Sequence, residues 1–133
     1  YPGIPQVESI EIDDSELVIE GVKVTPIPVM HYKLPVLGFR IKDFTYITDA
    51  NFISDESLAL IEGTDTLILN ALQQEPHISH FTLEEAINMA QKIGARKTYF
   101  THISHRLGLH AQIDTQLPEG ISLGYDGQLI TLP

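Results

Sequence analysis

Apolar positions alternate or run together through the first fifty residues, then shift to a helical spacing. VESIEI (7–12), LVIEGVKVTPIPV (17–29), VLGFRI (36–41) and FTYIT (44–48) are rich in β-branched and aromatic residues. Turn signals such as DDS and KD separate them, so strands are expected near 22–29, 36–42 and 44–48. From Ser54 the period changes. SDESLALIEG predicts a helix over 55–62, with Ser54 as N-cap, acids in the first turn and Gly63 past its end. TLILN (66–70) is an unbroken apolar run, the mark of a strand buried on both faces. TLEEAINMAQKIG predicts a helix over 82–93. Thr82 and Glu85 fit a capping box, Leu83, Ala86, Ile87, Ala90 and Ile93 fall on one face, and Gly94 supplies the stop. KTYFT (97–101) reads as a further strand, and residues 102–117 as a turn with a short helix. ISLGY and QLITL flank Asp126-Gly127, which predicts a closing hairpin. The pattern is an α/β (α+β) class, a strand-rich half leading into β-α-β-α, with the helices outside.

Composition narrows the chemistry. The 133 residues are 43% hydrophobic and 20% charged, enough to bury one domain's core. There is no cysteine, so any metal would be held by His, Asp or Glu, a donor set suited to Zn, Mn or Fe. The net charge of −10 argues against a grip on long nucleic acid, which needs a basic surface. No run approaches the roughly 18 apolar residues of a membrane span, and the opening residues carry no signal-peptide pattern. The expectation is a cytoplasmic protein with no membrane partner.

The histidines and one aspartate sit at particular places on that map. His31 follows the apolar VTPIPVM, Asp49 follows FTYIT, His80 stands just before the second helix, and His102 follows KTYFT. Sheet order can bring such strand-end positions to one edge, and neutral imidazole with carboxylate suits a divalent metal. Each also has an ordinary reading. A lone His after a strand is commonly a loop or capping residue, and the Asp of TDA fits a turn. His77 and His110 fit exposed loops.

Taken in order, MHYKLPVLGFRI, YITDA, SHFTLEEA and YFTHISH resemble the second half of metallo-β-lactamase-fold hydrolases. The ending LPEGISLGYDGQLITL extends the likeness over nearly the whole chain. The group it is most similar to is the phosphoribosyl cyclic phosphate phosphodiesterases of phosphonate breakdown. The resemblance implies the C-terminal half of an αββα sandwich with two divalent ions, Zn or Mn, at one edge. It implies His31 on one ion, Asp49 bridging both, His102 on the second, and His80 as a non-ligand group assisting the leaving group. His105 would be structural or stand behind the ligands, and His77 would line the entrance or face solvent. Asn70 departs from relatives that carry Asp there.

The His-x-His-x-Asp-His signature of that family belongs to the first half of its fold, and no such motif occurs here. The chain is therefore read as the C-terminal portion of such a domain, pairing with an N-terminal half or with a copy of itself, and hydrolytically silent alone. The implied substrate is a small, possibly cyclic, phosphodiester. A tRNA 3′-end-processing nuclease is the second reading. Only 17 residues separate His31 from Asp49, which leaves no room for a long tRNA-gripping arm, and the acidic balance disfavours RNA. A lactonase or thioesterase, and a non-catalytic assembly fragment, are further alternatives.

Overall fold

The computed structural model describes residue 3 and residues 7–132. A seven-stranded sheet runs in chain order: β1 (Leu17–Ile19), β2 (Val22–His31), β3 (Leu34–Ile41), β4 (Phe44–Ile47), β5 (Thr66–Asn70), β6 (Lys97–Thr101) and β7 (Ile121–Leu123). β1 to β4 form an antiparallel meander, and β4 to β7 continue in parallel. Each parallel step needs a crossover, supplied by α1 (Asp55–Leu60), α2 (Leu83–Ile93) and α3 (His110–Asp114). Right-handed crossovers between successive neighbours put all three helices on one face.

Register explains the core. Ile47, Leu69, Phe100 and Leu123 lie in one row across β4–β7, and Leu67 aligns with Thr45 and Thr98 in the next. These positions, with Ile27 and Val29 of β2, face the helices and pack with Ile53, Ile61, Phe81, Leu83, Ala86 and Ala90. The helix ends follow their sequence signals. Ser54 accepts from the Ser57 N–H, Thr82 and Glu85 form the reciprocal capping box, and Gly94 closes α2 at φ 73°. Gly38 in β3 has a packing reason, because a Cβ there would lie 2.7 Å from Ile47 Cγ1 and 2.9 Å from the Tyr46 carbonyl.

The opposite face carries Leu37, Phe39, Ile41, Phe44, Tyr46 and Tyr99 by the alternation of the pleat. These side chains are half-buried, or exposed in the case of Tyr46. No helix among the described residues covers them.

Three expectations need correction. Residues 7–12 form no strand; Val7 is 85% exposed, so their alternation finds neither a neighbouring strand nor a core. The run 17–29 is a hairpin rather than one strand. Glu20 (φ 48°) and Gly21 (φ 81°) make a two-residue turn pairing Ile19 with Val22. The closing hairpin is also absent. Asp126-Gly127 does turn, with the Gln128 N–H donating to the Tyr125 carbonyl, but residues 128–132 pair with nothing and Leu129 is 94% exposed. β7 is instead held by its parallel pairing to β6. A turn signal sets chain direction; a strand also needs a free neighbour.

Candidate metal centre

β2, β4, β5 and β6 all point the same way, so their C-terminal ends share one edge of the sheet, the place where open α/β sheets commonly hold ligands. His31 ends β2, Asp49 follows β4, Asn70 ends β5 and His102 follows β6. His80 enters from the loop preceding α2. Topology therefore assembles residues up to 71 positions apart in sequence, from His31 to His102.

His80 lies at the centre and is only 8% exposed. Its Nε2 is 3.2 Å from Asp49 Oδ1, and His102 Nε2 is 3.6 Å from the same oxygen. The His80 ring stacks on His102 with centroids 4.7 Å apart and meets His31 edge-on, also at 4.7 Å. Donor atoms of His31, Asp49 and His80 all lie within 4.8 Å of one another. On its other side, His80 Nδ1 is 3.0 Å from Ser79 Oγ and 3.2 Å from His77 Nδ1. His77 thus joins the cluster from behind. His105 is exposed and stands outside it, while His110 Nε2 reaches the Gly124 carbonyl at 3.2 Å.

The neighbouring backbone is pinned by amides. Buried Asn70 accepts from the Ala50 N–H and donates to the Ala50 carbonyl, both at 2.9 Å. It fixes the residue beside Asp49. Asn51 accepts from the Tyr32 N–H at 2.7 Å and reaches the Ile78 carbonyl at 3.4 Å, linking the β2–β3 turn to the loop carrying His80. Sequence reasoning gave Asn51 and Ser79 no role. The discoverable signal was Asn70: a polar residue closing a buried strand must find partners. Asp49 and His102 both sit at φ 57°, a left-handed conformation that costs non-glycine residues about 1 kcal/mol or more and concentrates at functional sites.

Electrostatics follow from this crowding. For Asp49, burial pushes the carboxyl up, but the hydrogen bond from His80 and the charge of His102 hold it below the ordinary value. For His80, burial is the largest influence and lowers its proton affinity. The Asp49 hydrogen bond opposes that, and the charges of His102, His31 and His77 add to the lowering. A carboxylate only accepts, so in the metal-free cluster Nε2 of neutral His80 carries the proton and Nδ1 accepts from Ser79.

Three imidazoles and a carboxylate converging without thiolate fit a borderline divalent ion, whose bonds to N and O run about 2.0–2.2 Å. His31, Asp49 and His80 have donor atoms close enough to share one such ion, and His102 lies beside the same Asp49 oxygen.

Residues 2–103 match the family described as a beta-lactamase superfamily domain. The chain belongs to that family. Its structure superimposes with a TM-score of 0.93 on a diphosphatase from the PhnP family, at 38% identity over 96% of this chain and 50% of that one. Human short-form tRNase Z shares the fold, with a TM-score of 0.67 at 21% identity over 88% of this chain and 46% of the other. An octanoyltransferase of Porphyromonas gingivalis is 33% identical over 96% of this chain and 26% of its own length. The chain thus has an α/β metallo-β-lactamase fold and spans half or less of these relatives. No helix among the described residues is long and apolar enough to cross a membrane.

Proposed function

We propose that the chain supplies the C-terminal part of a metal-dependent hydrolase site that cleaves small phosphodiesters. The convergence of His31, Asp49, His80 and His102 on one sheet edge carries this reading. Two divalent ions bound there would supply Lewis-acid activation of water and of the phosphoryl oxygens. His31 would hold one, His102 the other, and Asp49, with two oxygens, both. His80 keeps its Nε2 proton directed into the cluster; once Nδ1 is protonated as well, the Nε2 proton can pass to the departing alkoxide and leave a neutral ring. Ser79 holds the far side of the ring, and Asn70 and Asn51 keep Asp49 and the His80 loop in register.

A second reading of His80 has its own support. Its Nε2 lies nearer to Asp49 than that of His102, and its lowered proton affinity suits a ligand. Ligation through Nε2 would move the proton to Nδ1, toward Ser79 Oγ or His77. The two readings predict opposite tautomers once metal is bound.

Phosphoester chemistry is favoured over acyl transfer because the match to the PhnP-family diphosphatase, at 38% identity, engages half of that protein. The octanoyltransferase match engages about a quarter of that protein, so the activity in its name has three quarters of another chain to reside in. A dinuclear site needs more donors than this edge offers. The uncovered face bearing Phe39, Phe44, Tyr46 and Tyr99 is where a second layer bringing them would dock, from the same polypeptide, a partner half or a second copy. The test is metal content and turnover of bis(4-nitrophenyl) phosphate by the intact protein, beside the isolated 133-residue chain. Metal-dependent turnover by the intact protein alone is expected. Turnover that survives complete removal of metal would refute the reading.

A further inference from the structure

The β2–β3 turn and the loop before α2 form the walls of a cleft of about 480 Å³, lined by His31, Tyr32, Lys33, Leu34, Ile78 and Ser79. Tyr32, Leu34 and Ile78 are 49%, 60% and 63% exposed, so the cleft offers apolar surface on an acidic protein. The cleft adjoins the donor cluster directly. His31 belongs to both, and Ser79 lines the cleft while bonding His80. Its walls are held at a set spacing, because Asn51 binds the Tyr32 backbone on one side and the Ile78 carbonyl on the other. The Lys33 ammonium lies 5.2 Å from the centre of the Tyr32 ring, placing a positive charge at the rim.

Tyr32 itself breaks a local rule. It occupies φ 58° in a two-residue turn, where Gly, Asn or Asp would be cheap and a bulky side chain is strained. The strain is sustained by the Asn51 hydrogen bond, and what it presents is a flat aromatic face beside His31.

We infer that this cleft is a subsite for the organic group of an anionic phosphoester, and that the group it takes is aromatic or similarly flat and apolar. The inference rests on the metal-centre reading above: phosphate at the donor edge places the ester substituent over Tyr32, Leu34 and Ile78. Lys33 draws the anion toward the cleft in a protein whose overall charge repels it. A purely hydrophilic substituent would leave this surface in water.

The test is titration of phenylphosphonate and of methylphosphonate into the intact protein, with and without Zn²⁺, followed by NMR. Phenylphosphonate should bind at least about fivefold more tightly, the scale of one aromatic contact, and should shift the Tyr32, Leu34 and Ile78 signals. Tyr32→Ala and Ile78→Ala should bring the two probes to equal affinity, Tyr32→Phe should keep the preference, and Lys33→Met should weaken both probes alike. Equal affinities in the unsubstituted protein, with and without zinc, would overturn the subsite. So would Tyr32 and Ile78 signals that respond to neither probe because a second copy or another layer covers them. Metal binding is read separately, from the His31, His80 and His102 imidazole signals on adding zinc. Silent imidazoles with a retained aryl preference would contradict the metal reading and leave the subsite standing; responsive imidazoles with no preference would do the reverse.

Discussion

The two edges of the sheet treat charge in opposite ways. At the N-terminal edge of β5 and β6, Arg96 grips Asp65 with two hydrogen bonds of 2.8 and 2.9 Å. Nearby, the Arg40 guanidinium is spent on the Lys42, Leu60 and Glu62 carbonyls. Both guanidinium groups there are met by acceptors of the chain itself. At the C-terminal edge, imidazoles stack on imidazoles around a single carboxylate, and two of the residues involved hold left-handed backbones. Polar groups that serve stability are matched within the chain. On the reading proposed above, those gathered at the other edge await a metal ion, and the chain bears strain to keep them there.

That contrast can be broken most sharply at His80. If it delivers the leaving-group proton, His80→Ala in the intact protein should lower kcat by about 10²–10⁴-fold while metal content stays intact. The defect should shrink on nitrophenolate esters, whose leaving group needs no proton. Metal analysis beside kinetics on good and poor leaving groups decides it, and metal loss from His80→Ala would favour the ligand reading.

Next in size is Asn70. Asn70→Ala leaves the buried Ala50 N–H unpaired, while the Ala50 carbonyl keeps its bond from the Phe81 N–H; the loss should be about 1–3 kcal/mol in urea unfolding, the cost of one stranded group. At the opposite edge, Arg96→Ala should cost less than Asn70→Ala, as the loss of an exposed ion pair does, with metal affinity unchanged. A larger loss at Arg96 than at Asn70 would invert the comparison.

A smaller effect concerns pH. In the metal-free protein His80 binds its proton less readily than an unfolded histidine, whose ordinary value is 6.5. Protonation therefore favours the unfolded chain. Stability should be level above about pH 6.5 and fall as pH drops below it and through the lower folded value. His80→Gln should flatten that fall in urea denaturation at a series of pH values. The smallest effect expected is at His102: His102→Gly relieves the φ 57° strain and should stabilise the metal-free chain by up to about 1 kcal/mol, while weakening metal binding.

The order β-β-β-α-β-α-β was legible from periodicity, because β5 is an apolar run, β4 and β6 are short β-branched and aromatic stretches, and both longer helices carry their own caps. The edge gathering His31, Asp49, His80 and His102 was legible because three of them stand where a strand ends and His80 just before a helix begins. What the pattern could not supply was pairing. Residues 7–12 and 128–132 alternate like strands yet lack neighbours, and Glu20-Gly21 splits a run that looks continuous. The amide clamps of Asn51 and Asn70 depend on side chains meeting backbone 19 or more residues away, which local pattern does not encode.

The most direct test of the central claim is metal stoichiometry of the intact protein by elemental analysis after zinc or manganese loading, alongside Asp49→Ala. Two ions per chain are predicted for the unsubstituted protein, with both lost or bound at least about 100-fold more weakly when the bridging carboxylate is removed. Failure of the unsubstituted protein to bind metal, or full occupancy retained by Asp49→Ala, would contradict the account.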